Sequence, residues 1–146
     1  MNRSKSRDER GLADSVGLAC YAPLLVLFVA AIIVAGGVVL ARQSVEAAAA
    51  DAARSASIAR GAAEAHTAAT RAALTSLANQ SLSCAATTVD ADVTGFSVPV
   101  GTRAAVHVQV TCDVRLADLS MPGIPGGPIR VQARMSSPLD TYRERR

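Results

Sequence analysis

The stretch that decides the fold of this chain runs from residue 15 to residue 41 and reads SVGLACYAPLLVLFVAAIIVAGGVVLA. It contains no Asp, Glu, Lys or Arg. As a helix rising about 1.5 Å per residue it would be roughly 40 Å long, enough to cross a hydrocarbon core about 30 Å thick. The stretch therefore predicts a transmembrane helix over residues 15–41. A removed secretory signal is the alternative, although the apolar part of such signals is only about 7–15 residues long.

The charges on either side of this stretch predict its orientation. The leader, residues 1–14, is polar and carries Arg3, Lys5, Arg7 and Arg10. The cationic residues that follow are spread more thinly: Arg42, Arg54 and Arg60. Because the denser Lys/Arg cluster stays in the cytoplasm, we expect a single-pass protein of the cell membrane. Its basic leader would be cytoplasmic and the rest of the chain extracytoplasmic.

Length and composition limit what lies beyond the membrane. The chain has 146 residues, so roughly one hundred remain outside the span, which suffices for one small domain. It has two Tyr, two Phe and no Trp, which leaves few large aromatic side chains for a core. The net charge of +3 comes from scattered residues. No dense basic stripe is present, so we expect no nucleic-acid partner.

The first part of the exported segment, residues 42–82, is rich in alanine. Alanine has the highest helix propensity, the segment has no Pro, and only Gly61 interrupts it. The pattern predicts one Ala-rich extracytoplasmic helix that continues directly from the span. Its large apolar residues are few, which favours close packing against a neighbouring helix or a small sheet.

The second part, residues 83–146, has the alternation of strands and predicts a small β domain. Apolar and polar residues alternate strictly from Val106 to Leu116, weakly from Thr88 to Thr94, and again from Ile129 to Met135. Such alternation is typical of half-buried strands. Between the last two strands, residues 121–128 are rich in Pro and Gly and predict a loop. We therefore expect an α+β, pilin-like fold, with a long N-terminal helix packed on an antiparallel sheet of about three strands.

Two of the three cysteines, Cys84 and Cys112, lie in the exported part. Disulfides form and persist outside the cytoplasm, and these two allow only one pairing there. We therefore expect a disulfide between them, with two buried free thiols as the alternative. Cys20 lies inside the span, where it is expected to act as a small apolar residue.

Enzymatic chemistry has no recognisable motif in this sequence. The two histidines, His66 and His107, stand alone, whereas a metal site needs three or four converging ligands. Gly126 and Gly127 lack the Lys and Ser/Thr of a phosphate loop, and Asp90 and Asp92 are expected to be solvated carboxylates. We expect no catalytic residue, metal or cofactor.

The order of several stretches resembles a known family. The stretches are DERG at 8–11, APLL at 22–25, VEAAAADAAR at 45–54, VQVTCDV at 108–114 and SPLDTYR at 137–143. In this order they resemble the TadE/TadG-like pilus-assembly proteins, the minor pseudopilins of tight-adherence pili. The resemblance implies a structural component of pilus or secretion-apparatus assembly. Its implied partners are membrane lipid, other pilins or pilus-assembly proteins, and a prepilin peptidase.

The resemblance also implies roles for particular residues. The peptidase would cut between Gly11 and Leu12, so that the mature chain begins with the apolar helix. The family has a Glu at the fifth mature position, but this chain has Val16 there; Asp14 is the nearest acid that could serve in assembly. Small residues at helical spacing let membrane helices approach closely, and Ala31, Ala35 and Gly37, together with Pro23, are the candidates for docking in homo- or hetero-oligomers.

Other functions remain open from the sequence. One is a single-pass membrane protein with a small extracytoplasmic binding domain, which would keep residues 1–11 attached. Another is a membrane-bound enzyme or accessory subunit, which would need a convergent polar site. In the first of these, Arg10-Gly11 is only a stop flanking the membrane.

Overall fold

The computed structural model describes residues 5–115 and 127–144, with side chains from residue 21 onward. The chain divides into two compact units, Met1–Gly36 and Gly37–Arg146. The elements are helix α1 (Lys5–Ser57), helix α2 (Ala62–Asn79), strand β1 (Cys84–Asp92), a short 3-10 helix (Thr94–Ser97), strand β2 (Ala105–Val114) and strand β3 (Ile129–Pro138). The sheet is antiparallel with the order β1-β2-β3. The expected α+β fold, a long N-terminal helix packed on a three-stranded sheet, is confirmed.

Helix α1 spans both units. In the first unit it is an apolar helix with Pro23 inside it. In the second unit its character changes, and one side of it becomes a row of buried small residues. The members of this row are Ala41, Val45, Ala48, Ala49, Ala52, Ala53 and Ala56. Their spacing of three and four residues places them on one face of the helix.

The expected single Ala-rich helix over residues 42–82 is wrong. Helix α1 ends at Ser57, and α2 begins at Ala62 after a break of four residues. The residue before α2, Gly61, is extended with φ −156° and ψ 166°. Glu64 in the first turn of α2 accepts a hydrogen bond from the Arg60 backbone N–H at 3.0 Å, an arrangement close to a capping box. The segment is therefore a helical hairpin.

The hairpin forms because it buries both alanine stripes. Helix α2 has its own buried row, Ala65, Ala69, Ala73, Ser76 and Leu77. The two helices run antiparallel, since the Ser76 hydroxyl donates to Asp51 at 2.8 Å and the Gln80 amide donates to the Ser44 carbonyl at 3.4 Å. A single straight helix would leave half of these small apolar residues in water.

Strand β2 behaves as its alternation predicts. Strand β1 does not keep the expected bounds of Thr88–Thr94: it begins at Cys84 and ends at Asp92, and Thr94 lies in the 3-10 helix. Every second residue of β2 is buried, namely Val106, Val108, Val110, Cys112 and Val114. Strand β2 lies between the other two strands, so its inner face is the centre of the core. The expected strand end at Leu116 and the expected loop at 121–126 lie outside the described residues. Strand β3 is longer than expected and continues to Pro138.

Strand β1 contains an irregularity that matters for the disulfide. Cys84 pairs with Val114, whereas Ala86 pairs with Asp113, so the register shifts between Cys84 and Ala86. A bulge of this kind inserts one extra residue into a strand. It moves Cys84 to the same face as Val89 and Ala91, although simple alternation would place it on the opposite face.

The second unit is a two-layer structure with the helical hairpin on one face of the sheet. Strand β3 runs alongside α1: Val38 and Arg42 border the same shallow cavity as residues Ile129–Gln132, and Ser137 bonds Ser57 through their hydroxyls at 3.0 Å. The two ends of the unit are therefore defined. The anchor end lies where α1 enters at residues 37–42, and the far end lies at the break between α1 and α2.

Candidate functional site

The first candidate site is the apolar surface of α1, defined as residues 21–40. Most of its large side chains are exposed, with 69% of Leu24, 72% of Leu27 and 62% of Phe28 accessible, and only Val34 and Val38 among them are half-buried. In the most apolar window of this helix only 6% is buried. A core helix of a soluble protein would be mostly buried. By length and composition this helix can cross a membrane.

The residues expected to dock other helices lie on this surface. Pro23, Ala31 and Ala35 are exposed, and Gly37 is half-buried. A Cβ atom added at the neighbouring Gly36 would meet nothing within 4 Å. Within the described part of the chain, Gly36 therefore has open space beside it.

The residues of the expected cleavage site are only partly described. Gly11, Leu12 and Asp14 all lie within α1, but their side chains fall outside the described set. The proposed cut between Gly11 and Leu12 and the assembly role of Asp14 stay predictions.

The second feature is the disulfide that closes the sheet at the anchor end. Cys84 and Cys112 are bonded, with their Cα atoms 5.4 Å apart. Cys112 is fully buried and Cys84 is half-buried. The bond joins the first residue of β1 to the last part of β2, 28 residues further along the chain. Closing a loop of this length stabilises the folded chain by about 3–4 kcal/mol in the chain-entropy account of disulfides.

The third feature is the outer face of the sheet, which no described element covers. It is polar. Arg130 on β3 donates two hydrogen bonds to the Asp113 carboxylate on β2, at 2.8 and 3.2 Å. This contact lowers the pKa of Asp113 below its usual 3.8 and raises that of Arg130. The Thr94 hydroxyl and backbone N–H both donate to Asp92, which lowers the pKa of Asp92.

The two histidines lie on different elements of the second unit. His66 is exposed on α2, and His107 lies on the outer face of β2 beside Asp90, Asp92, Gln109 and Arg134. Among residues 5–115 and 127–144, no group of three or more His, Cys, Asp or Glu side chains could hold a metal ion. Of the residues around His107, Gln109 is half-buried like His107 itself, whereas Asp90, Asp92 and Arg134 are exposed.

A groove also runs along the outside of the helical hairpin. Asp51, Arg54 and Ser55 of α1 line one wall, and residues of α2 from Ala68 to Asn79 line the other. Its polar centre is the hydrogen bond from Ser76 to Asp51. This bond connects the two helices and explains why the one buried polar side chain of the described core, Ser76, is tolerated.

The comparison with protein families gives a match that coincides with α1. Residues 16–54 match the family described as TadE-like protein. The chain carries a TadE-like segment. The match covers the apolar surface and the first buried turns of α1 in the second unit, and it ends before the helix break. No curated protein and no solved structure matched the chain.

The match confirms the family resemblance for the N-terminal part of the chain. It includes APLL at 22–25 and VEAAAADAAR at 45–54, two of the stretches on which the resemblance depends. The other three stretches, at residues 8–11, 108–114 and 137–143, lie outside it. A TadE-like segment with an exposed apolar helix fits a membrane-anchored protein associated with tight-adherence pili.

Sequence reasoning missed two features of these surfaces. The hydrogen-bonded pair of Asp51 and Ser76 was missed because it depends on the helix break, for which Gly61 was the only sign. The pair of Asp113 and Arg130 was missed because strand register was unknown. Asp113 and Arg130 each stand at a polar position of an alternating strand, so a correct alignment of β2 with β3 would have predicted their contact.

Proposed function

We propose that this chain is a membrane-anchored minor pseudopilin, a structural component in the assembly of tight-adherence pili. Its apolar helix lies in the cell membrane, the leader 1–14 faces the cytoplasm, and the α+β domain lies outside the cytoplasm. The protein acts by binding other pilus subunits, and its role is structural.

One observation carries this proposal. The match to TadE-like proteins over residues 16–54 coincides with a helix whose large apolar residues are mostly exposed up to Leu40 and which buries one row of small residues from Ala41 to Ala56. A helix with this change of environment joins a membrane anchor to a folded domain. A soluble protein would instead bury the large side chains of the apolar part.

Subunit contacts in the membrane come from the small residues of α1. Ala31 and Ala35 lie four residues apart and share one face of α1, whereas Gly37 lies on nearly the opposite side. In lipid, helices associate through close packing of such small residues, because no hydrophobic driving force exists there. Pro23 removes one backbone hydrogen bond and offers a bend at which a neighbouring helix can fit.

The charges of the leader and the disulfide both support an extracytoplasmic location for the α+β domain. The positively charged leader favours a cytoplasmic N-terminus. The bond between Cys84 and Cys112 is expected to persist in an oxidising compartment and to be rare in the cytoplasm.

Cleavage by a prepilin peptidase can be tested directly on the protein. Cleavage after Gly11 makes Leu12 the first residue of the mature chain, and Asp14 is then the third residue. There its carboxylate is available to neutralise the amine of a neighbouring subunit. The experiment is N-terminal sequencing and intact mass of the protein purified from its native membrane.

The expected result is a chain that begins at Leu12 in cells with the peptidase and at Met1 in cells without it. A Gly11→Val variant should also begin at Met1. Gly17→Val is the matched control and should still be cut. A wild-type chain that begins at Met1 in peptidase-containing cells would overturn the processing step and favour a single-pass protein with a small extracytoplasmic binding domain.

The structural role needs a separate test. Deletion of the chain should strongly reduce the number of surface pili, and expression of the wild-type chain should restore them. The variant Ala31→Leu with Ala35→Leu should restore them poorly while remaining in the membrane. If the deletion leaves pilus number unchanged, the pseudopilin role is wrong.

A further inference from the structure

The sheet has two open edges. In the order β1-β2-β3, strands β1 and β3 each pair with β2 on one side only. In the described residues no backbone hydrogen bond joins the outer side of either strand to another segment. Open edges present a row of unpaired N–H and C=O groups, which is a template for pairing with another chain.

The two edge strands carry opposite charges at matching positions in the strand register. Register shows that Asp90 of β1 lies opposite Gln109 of β2, which in turn lies opposite Arg134 of β3. Asp90 and Arg134 are both exposed on the outer face. No ion pair joins Asp90 to another described residue. The acidic edge is thus β1, with Asp90 and Asp92, and the basic edge is β3, with Arg130 and Arg134.

The inner sides of these edges are apolar or neutral. Strand β1 directs Thr87, Val89 and Ala91 toward the helices, and β3 directs Val131, Ala133 and Met135 the same way. Proteins that block edge pairing often place a charge on this inner side, and neither strand does so. Met135 is 36% exposed although it is on the helix side, because no strand lies beyond β3.

We propose that the edge of β3 in one copy pairs with the edge of β1 in a second copy of this chain. The pairing is parallel and head-to-tail, and it joins the two sheets into one continuous sheet. Arg134 of one copy then lies beside Asp90 of the next. The inference goes beyond the pseudopilin proposal and uses only its membrane anchor.

The anchor explains why the pairing is parallel. Copies held in one membrane by the same helix share one direction along the membrane normal. Strands β1 and β3 are both antiparallel to β2, so they run in the same direction in every copy. At equal height the contact aligns Thr88 with Gln132 and Asp90 with Arg134, because each pair faces the same β2 residue within one copy. A head-to-tail contact of this kind repeats without closing unless its rotation forms a ring.

The helix layer is close to the sheet in width, so the contact requires helices of neighbouring copies to pack as closely as the two helices within one copy. Three strands at about 4.8 Å spacing are roughly 14 Å wide. Two helices packed through alanine can approach the lower limit of about 8 Å between axes, for a layer of roughly 16 Å. The buried rows of α1 and α2 are almost entirely alanine. Helices packed through Leu would be wider and would hold neighbouring sheets apart.

Cross-linking between two tagged chains tests the pairing. Both full-length chains carry Cys20→Ser and are reconstituted together in phosphatidylcholine vesicles. One carries Thr88→Cys and the other Gln132→Cys, which leaves Asp90 and Arg134 intact. A short bis-methanethiosulfonate reagent should give mixed dimers in several-fold higher yield than the control pair Thr88→Cys with Gln43→Cys. Gln43 is also exposed, but it lies on α1 and not on the sheet edge.

Charge reversal then tests the register. Asp90→Arg in the first chain should lower the yield by roughly two- to fivefold, the scale of an exposed ion pair. Adding Arg134→Asp to the second chain should restore it. A yield equal to that of the Gln43 control, or a yield that does not respond to charge reversal, would overturn the pairing. Pilus number does not enter this measurement, so the pairing and the pseudopilin role can fail independently.

Discussion

At the scale of single residues, Gly95 occupies a position that no side chain fits. It is buried in the 3-10 helix, and a Cβ atom there would collide with the Ala105 carbonyl and lie 3.1 Å from Cδ1 of Leu139. Because the first contact is backbone, it cannot move aside easily. We predict that Gly95→Ala lowers the free energy of unfolding by about 1–3 kcal/mol. Urea unfolding measures this change.

The matched control for Gly95 is Gly127→Ala, since a Cβ atom added at Gly127 meets no atom of the described residues within 4 Å. Gly127→Ala should change the free energy of unfolding by less than about 0.5 kcal/mol. Equal effects of the two substitutions would show that the collision at Gly95 is relieved by movement of β2.

The pair of Asp113 and Arg130 predicts a pH dependence. The hydrogen bonds from Arg130, and its charge, lower the pKa of Asp113 in the folded chain. The unfolded chain therefore binds this proton more tightly, so the contribution to stability is present above about pH 4. It is lost as pH falls through the lower folded pKa. NMR titration of the carboxyl carbon should show the pKa of Asp113 rising in Arg130→Ala and unchanged in Arg134→Ala.

The cysteines show what residue-level sequence reasoning can and cannot reach. Their pairing was predictable, because Cys84 and Cys112 are the only cysteines beyond the span. The position of Cys84 on the inner face was not, because the bulge between Cys84 and Ala86 reverses the alternation. A bulge leaves no clear sign in a stretch that reads CAATT.

At the scale of elements, the stability of the helical hairpin depends on the size of its buried residues. Ala49 of α1 is fully buried, whereas its neighbour Ala50 is exposed. We predict that Ala49→Leu lowers the free energy of unfolding by about 1–3 kcal/mol, because the close-packed helices must separate. Ala50→Leu is the control and should be within about 0.5 kcal/mol of the wild type. Thermal unfolding followed by circular dichroism compares them, and equal losses would contradict the tight packing.

The hairpin is also the element that sequence patterns predict least well. Alanine favours a helix everywhere from Gln43 to Gln80, so propensity alone contains no information about where the helix should end. The break at residues 58–61 is fixed by tertiary contacts. One of them is the hydrogen bond from Arg143 to the carbonyl of Ile58 at 2.9 Å, which spans 85 residues. Strand β2 is the opposite case, because its alternation alone predicts which residues are buried.

At the scale of the whole molecule, the apolar surface of α1 decides where the protein resides. An Arg at the centre of a membrane helix disfavours insertion by about 2.5–3.5 kcal/mol. We predict that Phe28→Arg moves a large fraction of the chain from the membrane pellet to the supernatant after alkaline carbonate extraction. Leu40→Arg, at the end of the surface, is the control and should stay in the pellet. If Phe28→Arg also stays there, the helix is held by protein contacts rather than by lipid.

The sequence predicts two layers, helices on a sheet, but it does not predict which strand lies beside which helix. An amphipathic sheet needs a cover, and the alanine-rich segment was the available one. Which strand lies beside which helix depends on contacts such as Ser57 with Ser137, and no local pattern encodes these. The opposite charges of the two sheet edges became visible only when register aligned Asp90 with Arg134.

The order of the elements has a consequence for biogenesis. In the second unit each helix or strand packs against the one that precedes it: α2 on α1, β2 on β1 and β3 on β2. Folds dominated by contacts between sequence neighbours have low contact order and form rapidly. As the chain emerges from the ribosome or a translocation channel, each new element finds its partner already present. The contacts of α1 with β3 and with Arg143, and those of residues 139–141 with the segment before β2, must wait for the C-terminal segment. The helical hairpin and the pairing of β1 with β2 can form before that segment is delivered.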